Sequence, residues 1–180
     1  VIEPLPPDVR AQLLDCARQT LVAVAAGGAP PDVPRGGVFE EPAAVFVTLR
    51  YGESLRGCLG QTHATLPLGE AVRELTRDAA TRDPRFPPVT PDEVAGIEIE
   101  ISRLSAPEEA TPDDIVVGRH GIIIRSGHHV GLLLPQVATE FGCDAAEFLG
   151  LGCRKAGLAS SAWREEGVTI SIFEAEVFGE

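Results

Sequence analysis

Methionine is absent from this 180-residue chain, and aromatic side chains are scarce: seven Phe, one Tyr and one Trp. Basic residues are few as well, 15 Lys and Arg against 27 Asp and Glu, which leaves a net charge of −12 with the acids scattered along the sequence. A nucleic-acid partner is thereby excluded, because phosphate binding needs clustered Lys and Arg. An anionic membrane surface is disfavoured for the same reason. No apolar run approaches the roughly 20 residues of a membrane-spanning helix, and Val1–Pro7 lacks the basic-then-apolar order of a signal peptide. A cytoplasmic protein with no membrane partner is expected. With Val1 first and no Met anywhere, an initiator or short leader is expected to have been trimmed or numbered away. Cys16, Cys58, Cys143 and Cys153 are too few and too unevenly spaced for a secreted disulfide framework, so the thiols are expected reduced. Neither Cys58 with His63 nor Cys143 with Cys153 has zinc-ligand spacing. No Gly-x-Gly-x-x-Gly and no Walker loop is present. No metal and no cofactor is expected.

What is present reads as one globular domain over residues 1–180, or two small lobes sharing a core. Asp8 is the expected cap of a helix to about Ala26, with Val9, Leu13, Cys16, Ala17, Leu21 and Val24 at helical period, so Cys16 is a small core hydrophobe. Gly27 to Gly37 is a loop. Strand-like Ala43–Tyr51, a turn at Gly52-Glu53-Ser54 and the run that follows suggest a hairpin. Thr65 and Pro67 start a helix to about Thr81. Asp83-Pro84-Arg85-Phe86-Pro87-Pro88 must be irregular, and Thr90 to Glu93 spells a capping box. Gly96–Ser105 alternates Ile with charge as a strand with one wet face. A second hairpin is predicted across Ser126-Gly127, then helices from Pro135 and from Asp144 to a Gly157 stop, and a closing strand over Val168–Phe178. Hairpin-joined strands with irregularly placed helices argue for α+β with largely antiparallel pairing.

The stretch Leu55-Arg56-Gly57-Cys58-Leu59-Gly60 carries the most chemistry. In an extended chain Arg56 and Cys58 share one face and Leu55, Gly57 and Leu59 the other. An always-charged Arg favours a thiolate over a thiol, and glycines let a ligand or another backbone approach. Cys58 is therefore the candidate nucleophile or redox thiol, against the alternative of an inert buried thiol. Arg56 either binds a substrate carboxylate or phosphate or holds a carboxylate of the protein. Gly57 and Gly60 either admit a ligand or satisfy a bulge or close crossing. His120 is the preferred base, the alternative being a histidine hydrogen-bonded at a strand entrance. Lys155 either enters the site or offsets a helix C-terminus. Asp83, Arg85 and Phe86 suggest a loop anchored by an Asp–Arg pair, and such loops also build binding rims, which makes Arg85 a candidate ligand contact.

Four blocks, Leu55–Gly60, Asp83–Pro88, His120-Gly121-Ile122 with Leu133-Leu134-Pro135-Gln136, and Lys155-Ala156-Gly157-Leu158 with Trp163, occur in the order found in the AMMECR domain family, which the chain resembles over nearly its whole length. The resemblance implies an α+β fold of two unequal lobes on largely antiparallel sheets with flanking helices and a cleft between them lined by the Arg-Gly-Cys block. It implies no particular reaction. Relatives encoded beside or fused to Memo-type dioxygenase-like and radical-SAM proteins make those the expected protein partners, by analogy. Three readings are therefore open: a site for a small anionic or carbonyl ligand beside a reactive cysteine, with thiol-dependent transfer, hydrolysis or redox chemistry; a non-catalytic protein-interaction module; or a redox-neutral scaffold whose four blocks only pack the two lobes together.

Overall fold

Proline opens the first helix. In the computed structural model, which describes residues 2–180, α1 spans Pro7–Ala25 with Pro6 at the N-cap. A proline at the first helical position gives up only an N–H that has no helical partner there. Asp8, expected as the cap, lies instead inside the first turn, where its charge suits the positive end of the helix. Leu13, Cys16, Ala17 and Leu21 form the buried stripe.

The chain divides into two compact units, Glu3–Leu104 with Glu176–Glu180, and Ser105–Ala175 with Ile2. In the first, β1 (Ala44–Tyr51) lies between β2 (Ser54–Gln61) and β3 (Ile97–Leu104), antiparallel to both. Val45, Val47 and Leu49 alternate onto the same side as Ile97, Ile99 and Ile101, and that face is buried with Leu13 and Leu21 of α1 and with Leu68 and Val72 of α2 (Leu68–Thr81). Fully burying each such side chain is worth about 1.5–3 kcal/mol. The opposite face carries Phe46, Thr48 and Arg50 of β1 and Glu98 and Glu100 of β3, in the period of two that marks a one-sided sheet.

In the second unit β5 (His120–Ser126) and β6 (His129–Leu133) form the hairpin expected across Ser126-Gly127, and Gly127 turns it with a φ of 56°. β7 (Thr169–Gly179) pairs antiparallel with β5 through Thr169–Glu174, and its final residues belong to the first unit. A three-residue strand, β4 (Glu108–Ala110), pairs on β7 at Ile170–Ile172; three residues are too few to show a period in the sequence. α3 (Pro135–Glu140) and α4 (Ala145–Lys155) complete the unit. The Asp144–Glu147 capping box starts α4, and Gly157, at φ 77°, follows its end. Gly150 and Gly152 speak against a helix by propensity. A Cβ on Gly152 would meet Ile122 and Ile124 at 2.9 Å, so its bareness lets α4 lie close on β5. The fold is α+β with antiparallel pairing.

Candidate functional site

β2 is not a regular strand where its chemistry lies. Cys58 faces Thr48 and Gly57 faces Leu49, but Arg50 faces Leu55, so Arg56 is an extra residue in the ladder. Such a bulge breaks alternation and re-aims the side chain. The Arg56 guanidinium meets Glu93 through Nε at 2.7 Å and Nη2 at 3.0 Å, and it donates to the carbonyls of Pro87 at 2.9 Å and Pro88 at 3.3 Å. Of the two roles open to Arg56, the geometry displays the grip on a carboxylate of the protein itself. Glu93 also accepts from the Thr90 N–H at 2.8 Å. Arg56 first, then Thr90, pulls the Glu93 pKa down to about 2.

The cation beside Cys58 is Arg85. Asp83, whose side chain is 1 % exposed, accepts from Arg85 Nε at 2.9 Å, from Arg85 Nη2 at 2.7 Å and from the Cys58 backbone N–H at 2.9 Å. Arg85 Nη2 also donates to the Cys58 carbonyl at 3.1 Å. Asp83 chiefly, with a smaller contribution from the Cys58 sulfur, raises the Arg85 pKa. In return the Arg85 side chain, and then the backbone N–H groups of Cys58 and of Arg85 itself, hold the Asp83 carboxyl far below the usual carboxylate range. About half of the Arg85 side chain remains in solvent, 53 %, and it lies 5.5 Å from the centre of the Phe86 ring. The Thr48 hydroxyl donates to Cys58 Sγ at 3.3 Å from the neighbouring strand. Cys58 itself is half-buried, whereas Cys16 and Cys153 are buried and burial pushes their thiols up. The site thus joins a partly open thiol, a hydroxyl donor and a guanidinium fixed by a buried carboxylate.

The two glycines make room for the protein's own atoms. A Cβ on Gly57 would stand 2.3 Å from the Ala79 carbonyl oxygen of α2. On Gly60 it would strike the Phe46 ring at 2.2 Å. His120 and Lys155 belong to the other unit. His120 Nδ1 lies 3.2 Å from the Val116 N–H and 3.1 Å from the Asp114 carbonyl, the bonding of a histidine at a strand entrance. Lys155 is the last residue of α4 and exposed, placed to offset the negative helix end. Thr48 and the Arg56–Glu93 pairing went unread in the sequence. The capping box at Thr90 and Glu93 was legible, but nothing in it says that the same carboxylate reaches β2.

The AMMECR1 family model matches residues 14–178. Protein Mbar_A1807 of Methanosarcina barkeri is 46% identical over 149 residues, 79% of this chain and 73% of that protein. Protein TV1384 of Thermoplasma volcanium is 41% identical over 181 residues, covering 96% and 90%. The crystal structure of the uncharacterized protein PH0010 from Pyrococcus horikoshii is similar with a TM-score of 0.88 at 37% identity, over 93% of this chain and 89% of that one.

Proposed function

This chain belongs to the AMMECR1 family, and from that premise we propose that it holds a small anionic or carbonyl-containing ligand against Cys58, with Arg85 as the anion contact and Cys58 as the reacting group. The observation that carries the reading is the fixed guanidinium on a half-buried thiol: Asp83 binds the Arg85 side chain and the Cys58 backbone N–H together. Arg85 has its Nε and Nη2 hydrogens on Asp83 and the Cys58 carbonyl, which leaves Nη1 to donate a charged hydrogen bond to a carboxylate or phosphate. The chemistry open to the sulfur without an oxidant is addition to an electrophilic carbon. A C–S bond forms, the carbonyl π pair moves to oxygen, and the thiol proton ends on that oxygen. The Thr48 hydroxyl, 3.3 Å from the sulfur, supports the developing charge on it. Arg56 acts at one remove, by holding Glu93 and the Pro87–Pro88 backbone on which the Arg85 loop rests.

The test compares a charged and a neutral alkylating reagent at mapped Cys58. Iodoacetate and iodoacetamide react alike, the thiolate displacing iodide, but only iodoacetate has a carboxylate for Arg85. For the parent protein the iodoacetate-to-iodoacetamide rate ratio is expected to exceed that of a free thiol about tenfold, a difference of one charged hydrogen bond. Arg85→Gln should bring the ratio back to the free-thiol value, and Arg85→Lys should restore part of it. A Cys58 that shows the free-thiol ratio in the parent, or a ratio untouched by Arg85→Gln, overturns the reading.

A further inference from the structure

The second unit carries a depression that the Cys58 site does not use. It has a volume of about 550 Å³ and lies between the end of α3, one side of α4 and the turn through Ser160–Arg164, every lining residue belonging to that unit. Phe141, at the end of α3, is 70% exposed although it is the kind of side chain that folding normally covers. Trp163 lines the same depression, and the Arg164 guanidinium lies 3.8 Å from the centre of its ring. Stacking of that kind covers a face of the cation and leaves its N–H edges free. Arg154 is the second lining cation. Among the described residues neither arginine has a hydrogen bond or ion pair to a carboxylate, in a protein with 27 acidic residues to offer. The one carboxylate in the lining, Glu147, accepts the Asp144 N–H at 3.0 Å in the capping box of α4.

We infer that this depression is a binding site for a small amphipathic anion, a flat apolar body bearing a carboxylate or phosphate. The apolar body packs on Phe141, Leu151 and Trp163, and the anion bridges Arg154 and Arg164. The volume lies in the range of small-molecule sites, about 300–1,000 Å³. Charge complementarity selects the sign of the ligand: two guanidinium groups that line one depression, with no carboxylate partner among the described residues, attract an anion in a chain whose net charge of −12 disfavours anions in general. The site is independent of Cys58.

Trp163 is the only tryptophan, so energy transfer has a single donor in the depression, and the arginine substitutions and Cys143 protection fix where the probe binds. The probe is 8-anilinonaphthalene-1-sulfonate, an aromatic sulfonate, titrated under excitation of Trp163, with neutral N-phenyl-1-naphthylamine as control. The sulfonate should bind at least tenfold more tightly than the neutral compound, and Arg154→Gln or Arg164→Gln should each weaken it about tenfold. Both side chains are exposed, so the variants are expected to fold, which circular dichroism checks. Cys143, half-buried in the lining, should be protected from N-ethylmaleimide by the bound probe, and Cys58→Ser should leave binding unchanged. Displacement by 1-naphthoate or by 1-naphthyl phosphate supports the assignment and tells carboxylate from phosphate. Equal binding of the neutral compound, indifference to both arginine substitutions, an unprotected Cys143, or displacement only by an acidic Phe-containing peptide overturns it.

Discussion

Gly57 shows how one missing side chain ties a reactive strand to its support. The α2 carbonyl of Ala79 occupies the space that a Cβ would need, and backbone on both sides leaves nothing to yield. Gly57→Ala is therefore expected to cost about 2 kcal/mol, within the range for overpacking a close-packed site, read as a lower midpoint in urea. Leu59→Val, two residues on and facing the same core, should cost less, because shortening a side chain leaves a small space without forcing backbone apart. At the same scale Cys58 differs from the other thiols by environment alone. Cys16 and Cys153 are sealed within helices, whereas Cys58 lies on the open side of β2 with a hydroxyl and a guanidinium for company.

At the scale of elements, the segment from Asp83 to Glu93 is a proline-rich loop made rigid by two carboxylates. Asp83 fastens its start to β2 through the Cys58 N–H, and Glu93 fastens its end through Arg56. Both carboxyls are held below their ordinary values, so each contributes stability that is complete above the unfolded-state value and is lost as pH falls through the folded one. For Glu93 the window runs from the usual 4.5 down to about 2. Stability measured by denaturant titration should fall across this window, and Glu93→Gln should flatten the slope there while leaving the slope above pH 5 as in the parent. A slope unchanged by the substitution would mean that Arg56 does not hold Glu93 in solution. The bulge at Arg56 is what makes this pairing possible, since regular alternation would keep the guanidinium over the sheet beside Cys58.

For the whole molecule, the two chain ends are tied into the first unit by one buried carboxylate. Glu176 accepts from the Leu5 N–H at 2.8 Å and from Arg103 Nε at 3.0 Å and is ion-paired with Arg10 at 3.1 Å, whose Nε donates to the Leu5 carbonyl; its side chain is 7 % exposed. Removing Glu176 leaves the mostly buried Arg103, 17 % exposed, charged and without its carboxylate. Glu176→Ala is expected to cost about 3 kcal/mol, and a double-mutant cycle with Arg103→Ala should return a coupling of more than about 1 kcal/mol. Additivity of the two substitutions would contradict this. No helix among the described residues is long and apolar enough to cross a membrane.

The elements were legible because each rests on local rules. Helical period placed α1 and α2, period-two alternation placed β3, the Ser126-Gly127 turn placed the second hairpin, and the Asp144–Glu147 box placed the start of α4. The Asp83–Arg85 pair was legible too, since two residues apart in a proline-bracketed loop they can hardly avoid each other. The chain by itself determined these features, together with the blocks that assign it to its family, because hydrophobic period, capping and turn chemistry act over a few residues. Only the tertiary structure decided that Arg85 and not Arg56 stands beside Cys58, that Thr48 is the hydroxyl at its sulfur, and that Gly57 and Gly60 make way for a helix and a ring. Each of those depends on cross-strand register and on one inserted residue, and register is set by the packing of a whole face, which no short stretch of sequence contains.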